Sequence, residues 1–101
     1  MQKDVLMLFC EKCNRLSNNS ICAICGKKGL REVREDDFCY FLTLPAFKTS
    51  IFEANLKEKN IPVATFGQGY DFATKKSAEY NFFIPYKFFD RAKDLYNLLF
   101  E

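Results

Sequence analysis

The stretch Cys10-Glu11-Lys12-Cys13-Asn14-Arg15-Leu16-Ser17-Asn18-Asn19-Ser20-Ile21-Cys22-Ala23-Ile24-Cys25 sets four cysteines in a C-x2-C-x8-C-x2-C array. Two short thiolate hooks at this spacing are what a tetrahedral zinc ion asks of a chain. Each hook bends the backbone until both sulfurs face one point. The residues between Cys13 and Cys22 carry the second hook back to the first. Cys10, Cys13, Cys22 and Cys25 are therefore the expected ligands of one structural Zn2+. Four thiolates also suit an iron of the rubredoxin type, and spacing alone leaves that alternative open. A four-cysteine site has no open position for substrate, so the array is expected to hold a fold rather than to run a reaction. A redox C-x-x-C needs a single motif at a helix start, and paired hooks in a loop-rich segment do not fit that use.

Outward from the array, the 101-residue chain has room for a tiny module and one small domain. A hydrophobic share of 49%, of which 12 Phe and 5 Tyr form a large part, is a composition that folds. The apolar run Val5–Phe9 is too short for a secretory core or a membrane span. A cytoplasmic setting is expected, in which thiols bind metal rather than pair as disulfides. Four of the five cysteines then enter the array, and Cys39 is expected as a small buried hydrophobe.

The formal net charge of +2 is unevenly divided, about +4 over residues 1–34 and −2 over residues 35–101. Four thiolates around one Zn2+ would add −2 to the first segment, leaving a nearly neutral chain. Nucleic acid is thus a weak expectation, because a clearly basic face is its usual footprint. The sequence has no histidine. Nucleophile–histidine mechanisms are excluded, and no pair of carboxylates is spaced persuasively for acid–base work.

Residues 1–34 read as the metal ribbon, with a turn at Asn18-Asn19-Ser20, a left-handed residue at Gly26 and a short strand at Leu30–Arg34. Glu35-Asp36-Asp37 reads as the boundary. Phe38–Leu44 is apolar on both faces, as a central strand would be. Residues 46–59 suit a helix with Phe47, Ile51, Phe52 and Leu56 near one face and a capping box at Ser50 and Glu53. Val63–Phe66 reads as a short strand, Gly67-Gln68-Gly69 as a turn, Tyr70–Glu79 as a loop and Tyr80–Ile84 as a strand. Tyr86–Phe100 is the clearest helix, with Phe88, Phe89, Ala92, Leu95, Tyr96 and Leu99 on one stripe.

The order β-α-β-β-α over residues 35–101 implies an α+β domain of ferredoxin-like layout lacking its last strand. One sheet edge is left open for Val5–Phe9, for Leu30–Arg34 or for a second subunit, so a homodimer is among the expected assemblies. Phe41, Phe82 and Phe83 invite comparison with base-stacking platforms, but so aromatic a domain must put many rings in its core, and no Lys/Arg-Gly-Phe signature accompanies them. Lys27-Lys28 and Lys75-Lys76 read as solvated faces.

The strand Tyr40–Leu44, the helix exit Leu56-Lys57-Glu58-Lys59-Asn60-Ile61-Pro62, and the run Phe83-Ile84-Pro85-Tyr86 with Ala92, Lys93 and Leu95 carry a resemblance. This segment resembles the prokaryotic signal-transducing domains of PII-like fold, with Asn60 where that family usually has Gly. The array resembles short zinc ribbons that precede bacterial domains, and also the zinc finger of RecR-type recombination mediators. The first resemblance implies a non-enzymatic regulatory module for a protein or small ligand. The second implies a nucleic-acid-binding alternative that uses Arg15, Lys27, Lys28, Arg31 and Arg34.

Overall fold

The computed structural model describes residues 7–73 and 75–100; Val5 and Leu6 of the first apolar run lie outside them. The chain is α+β. Strands β1 (Leu8–Cys10), β2 (Arg15–Ser17) and β3 (Arg31–Glu32) form a small antiparallel sheet in the order β2-β1-β3. Then follow β4 (Phe38–Pro45), α1 (Ala46–Glu58), β5 (Ala64–Asp71), β6 (Lys76–Pro85), a 3₁₀ turn (Tyr86–Phe88) and α2 (Phe89–Phe100). The second sheet has the order β4-β6-β5, with both neighbours antiparallel to β6.

Several expectations are corrected. β4 is an edge strand and β6 the central one. What resembled a strand buried on both faces is a bulge: the pairing shifts between Tyr40 and Leu42. The extra residue lets Phe41 and Leu42 both pack against the core, while Tyr40 turns to the far face beside Phe83. The expected turn and loop over 67–79 are the arms of one long hairpin, in which Gln68 pairs with Glu79 and Tyr70 with Ser77. Gly67 is a strand residue that admits close packing: a Cβ there would come within 2.6 Å of the Ser77 Cβ. The Leu30–Arg34 strand shrinks to Arg31–Glu32.

Helix α1 begins at once after Pro45, so Ser50 and Glu53 fall inside it and form no cap. Its inward stripe is Thr49, Phe52 and Leu56, spaced by three and four residues. Phe47 lies about 140° around the helix from Phe52 at 100° per residue, and it is 71% exposed. Ile51 is likewise exposed. The helix exit follows the expectation for Asn60, which takes a left-handed φ of 60°. The Ile61 N–H then donates to the Leu56 carbonyl (2.9 Å) and the Asn60 N–H to that of Lys57 (3.0 Å). This is a Schellman closure, and it drops Ile61 into the core.

The core lies between one face of the β4-β6-β5 sheet and the two helices. Leu44, Phe52, Leu56, Ile61, Phe82, Ile84, Ala92 and Leu95 are buried in it. Phe52 is its hub, with ring contacts to Phe41, Phe82, Tyr96 and Phe100. No residue before Phe41 belongs to this cluster among the described residues. Among the described residues no helix is long and apolar enough to cross a membrane.

Candidate metal centre

The two hooks are built alike. In the first, Cys10 ends β1, and the Asn14 N–H donates back to the Cys10 carbonyl (2.7 Å) with Asn14 at φ 56°. In the second, the Gly26 N–H donates to the Cys22 carbonyl (2.8 Å) with Gly26 at φ 76°. A left-handed residue thus follows each C-x-x-C and closes the knuckle. The chain supplies Gly at one and Asn, the non-glycine residue that best tolerates this φ, at the other. β1–β2 pairing sets the first hook (Cys10 opposite Arg15), and an Ile21–Lys28 bridge sets the second.

The result is a cluster in which the sulfurs of Cys10, Cys13, Cys22 and Cys25 all lie within 4.8 Å of one another. The Cys10 and Cys25 sulfurs are 3.6 Å apart. A tetrahedral zinc with bonds of about 2.3 Å places its sulfurs about 3.8 Å apart, so the donor set fits an ion of this size. Cys10 and Cys22 are buried, and Cys13 and Cys25 half-buried. Backbone N–H groups of Cys25 and Ile24 aimed at the Cys22 sulfur pull its pKa down to about 6. The proton that Cys13 shares with Cys25 raises the Cys13 pKa to about 12. So crowded a set does not carry four negative charges by itself; a divalent cation at its centre offsets them. These four residues can hold a metal, and its effect there is to cross-link the two knuckles.

Cys39 stands apart. It is fully buried, burial pushes its pKa up to about 12, and its thiol donates to the Asp37 carbonyl (3.4 Å). A neutral, enclosed thiol agrees with the expected small hydrophobe.

The ribbon is keyed to the second sheet by contacts that spacing does not announce. The Tyr40 N–H donates to the Asn14 carbonyl (2.7 Å) and the Asn14 side-chain amide to the Phe38 carbonyl (3.3 Å). The first knuckle therefore covers the start of the β4 edge. Arg15 lays its guanidinium 3.9 Å from the Tyr40 ring centroid. Arg31 makes a two-pronged pair with Asp37 (2.8 Å and 2.8 Å), adds Glu11 (2.9 Å) and rests over Phe9. That pairing holds the Asp37 carboxyl below its usual range. Residues 35–37 are also tied to the turn before α2: the Tyr86 N–H donates to the Asp37 carbonyl and the Lys87 N–H to that of Glu35.

Two of the five cations considered for nucleic acid, Arg15 and Arg31, are engaged inside the protein. Lys27, Lys28 and Arg34 are exposed. The stacking expectation is also divided: Phe82 is wholly buried and Phe41 packs on the core, while Phe83 alone lies on the far face. Where the ribbon meets α2, a cleft of about 470 Å³ opens between Met7 and Leu16 on one side and Tyr86, Lys87, Phe89, Asp90 and Lys93 on the other. Comparison with protein-family models, curated proteins and solved structures finds no match to the chain.

Proposed function

We propose that the chain is a non-enzymatic, cytoplasmic regulatory module: a zinc ribbon over residues 1–34 joined to a ferredoxin-like domain over residues 35–101. The ribbon and the domain bind a ligand at their joint. The observation that carries this reading is the cleft of about 470 Å³ between Leu16 of the ribbon and Phe89 and Lys93 of α2. Its size lies within the usual range for ligand clefts, and its lining joins Met7, Leu16, Tyr86 and Phe89 to Lys87, Lys93 and Asp90, with Lys87 already paired with Asp36. A smaller hollow at Lys59, Arg91 and Leu98, about 260 Å³, falls below that range.

Three further points support the reading. Four thiolates saturate zinc, so the metal is a staple and not a reaction centre. The order β4-β6-β5 with helices on one face suits a ferredoxin-like layout without its final strand, and hence the PII-like resemblance. The Arg31–Asp37 and Arg15–Tyr40 contacts fix the ribbon against the domain, so a ligand in the cleft meets a preformed wall. A basic-ribbon nucleic-acid reading is less favoured, because those same contacts consume two of its cations.

The test is a library of aromatic carboxylates titrated into the zinc-loaded protein, followed by amide chemical shifts. Perturbations are expected at Met7, Leu16, Phe89 and Lys93. A Lys93→Glu change is expected to weaken the best binder about tenfold, one charge contact being worth on the order of 1.4 kcal/mol in a partly enclosed site. A turnover activity lost by one point mutation would overturn the proposal, as would perturbations confined elsewhere.

A further inference from the structure

The two edges of the second sheet are treated very differently. β4 is blunted: the Asn14 turn takes up its Tyr40 N–H and Phe38 carbonyl, a bulge interrupts it at Phe41, and Pro45 ends it. These are devices that keep an edge from pairing further. β5 has none of them. Its sequence, Ala64-Thr65-Phe66-Gly67-Gln68-Gly69-Tyr70-Asp71, contains no proline and no lysine, and its one charge is the final Asp71. Among the described residues nothing pairs with its outer side. Along the same hairpin sit Phe66 (60% exposed), Tyr70 and Phe72, three of the large apolar side chains that most face solvent. Phe66 leans edge-on against Phe83 (centroids 5.4 Å apart), so the ring is held in place while exposed.

We propose that the outer edge of β5 pairs antiparallel with the same edge of a second copy of this chain. The reading is independent of the joint cleft. Gly69 turns the strand with a φ of 67°, so the straight stretch available for pairing is Ala64–Gln68. A two-fold axis through Phe66 sets that ring beside its counterpart, with Ala64 opposite Gln68 and Thr65 opposite Gly67. Ala64, Phe66 and Gln68 lie opposite Phe83, Asn81 and Glu79 on the sheet face away from the helices.

This segment is complementary to itself. It places Phe66 on Phe66, Thr65 on Gly67 and Ala64 on Gln68, and opposes no like charges. Recognition of a foreign strand relies on charges or steric mismatches that reject wrong partners, and residues 64–68 carry no charge. An isologous pair also closes upon itself, which uses up the open edge instead of propagating it. The joined sheet has six strands. The contact is below the roughly 1,200 Å² of standard interfaces, so the dimer is a concentration-dependent one.

The test uses the zinc-loaded full chain in light scattering after gel filtration, or in sedimentation equilibrium, from about 10 μM to about 1 mM. The wild type is expected to rise from its 11.8 kDa chain mass toward twice that value. Phe66→Lys and Phe66→Glu each place like charges across the axis and are expected to remain at the monomer mass. An equimolar mixture of the two should recover the dimer, a result that a merely structural role for Phe66 does not produce. Amide exchange in the wild type, which needs no variant, should slow at residues 64–68 as concentration rises. A wild type that stays monomeric to 1 mM overturns the proposal. So does a Phe66→Lys protein that dimerises as the wild type does, or a mixture that fails to recover mass.

Discussion

Chelation of the metal, or the change Cys22→Ser, is expected to unfold residues 7–34 and leave β4 to α2 folded. The reason is the scarcity of apolar burial in the ribbon. Of the buried hydrophobic residues among those described, only Phe9 and the ligands Cys10 and Cys22 lie before residue 35. Burying one Phe contributes about 1.5–3 kcal/mol. Ordering each backbone residue costs about 1–2 kcal/mol. Hydrogen bonds and the part-buried Arg31 ties do not close that gap, because each contributes only about 0.5–3 kcal/mol net. Zinc does, since a structural site is worth on the order of 10 kcal/mol to such a segment. Among the described residues the α+β core draws on nothing before Phe41, so it is expected to survive the loss.

Metal analysis of the purified protein should find about one zinc per chain, and a sharply lower content in Cys22→Ser. Amide spectra should collapse for the ribbon and stay dispersed for residues 38–100. Collapse of the whole spectrum would sink the argument.

Acid reaches both supports of the joint through the metal. Thiolate ligands must shed protons to bind metal, so metal leaves as pH falls. The carboxyl of Asp37 is held below its ordinary value chiefly by its hydrogen bonds with Arg31. A group depressed in the folded state contributes stability above its unfolded pKa, about 3.9 for Asp, and loses it only as pH falls through the lower folded value. Zinc release is therefore expected at a higher pH than protonation of Asp37 would demand, and because metal loss unfolds residues 7–34 the Arg31–Asp37 pair is expected to go with the zinc. The Asp37 carboxyl carbon shift and a zinc-sensitive dye followed in one titration should change together, above the pH at which the folded Asp37 takes up its proton.

These two supports were unequally visible in the sequence. The cysteine spacing is local, so its geometry can be read directly, down to the left-handed Gly26. Asn14 repeats that device after Cys13 and was legible by comparing the hooks, yet Asn is common enough in turns to pass unnoticed. The Arg31–Asp37 tie leaves no periodic trace, and three adjacent acids look like a linker until Arg31 is placed above one of them. The stripe of α2 was legible because its period is long and unbroken. The β5–β6 hairpin was hidden by Gly67 and Gly69, which mimic a turn though one serves close packing and the other a kink. In α1 a Phe at 47 suggests the core, but the neighbouring sheet meets the face of Thr49, Phe52 and Leu56 instead.

Phe52→Ala is expected to do the reverse of Cys22→Ser: it unfolds the α+β unit and spares the metal site. Phe52 is fully buried and touches four other rings, from β4, β6 and α2. Truncating such a residue costs about 3–5 kcal/mol, part of it for the cavity left behind. At about 0.05–0.15 kcal/mol per residue, a unit the size of residues 38–100 has a total of about 3–9 kcal/mol. The variant is then marginal at best, and its near-native circular dichroism and cooperative melt should be lost. Zinc content should nonetheless stay near one per chain, because both hooks close through their own carbonyls and need no side chain from the core. If zinc leaves with the core, the Asn14 bonds to Tyr40 and Phe38 and the Arg31 tie to Asp37 shape the ribbon as well as dock it. The pair of variants thus measures, in opposite directions, how far a metal staple and an aromatic core fold independently on one short chain.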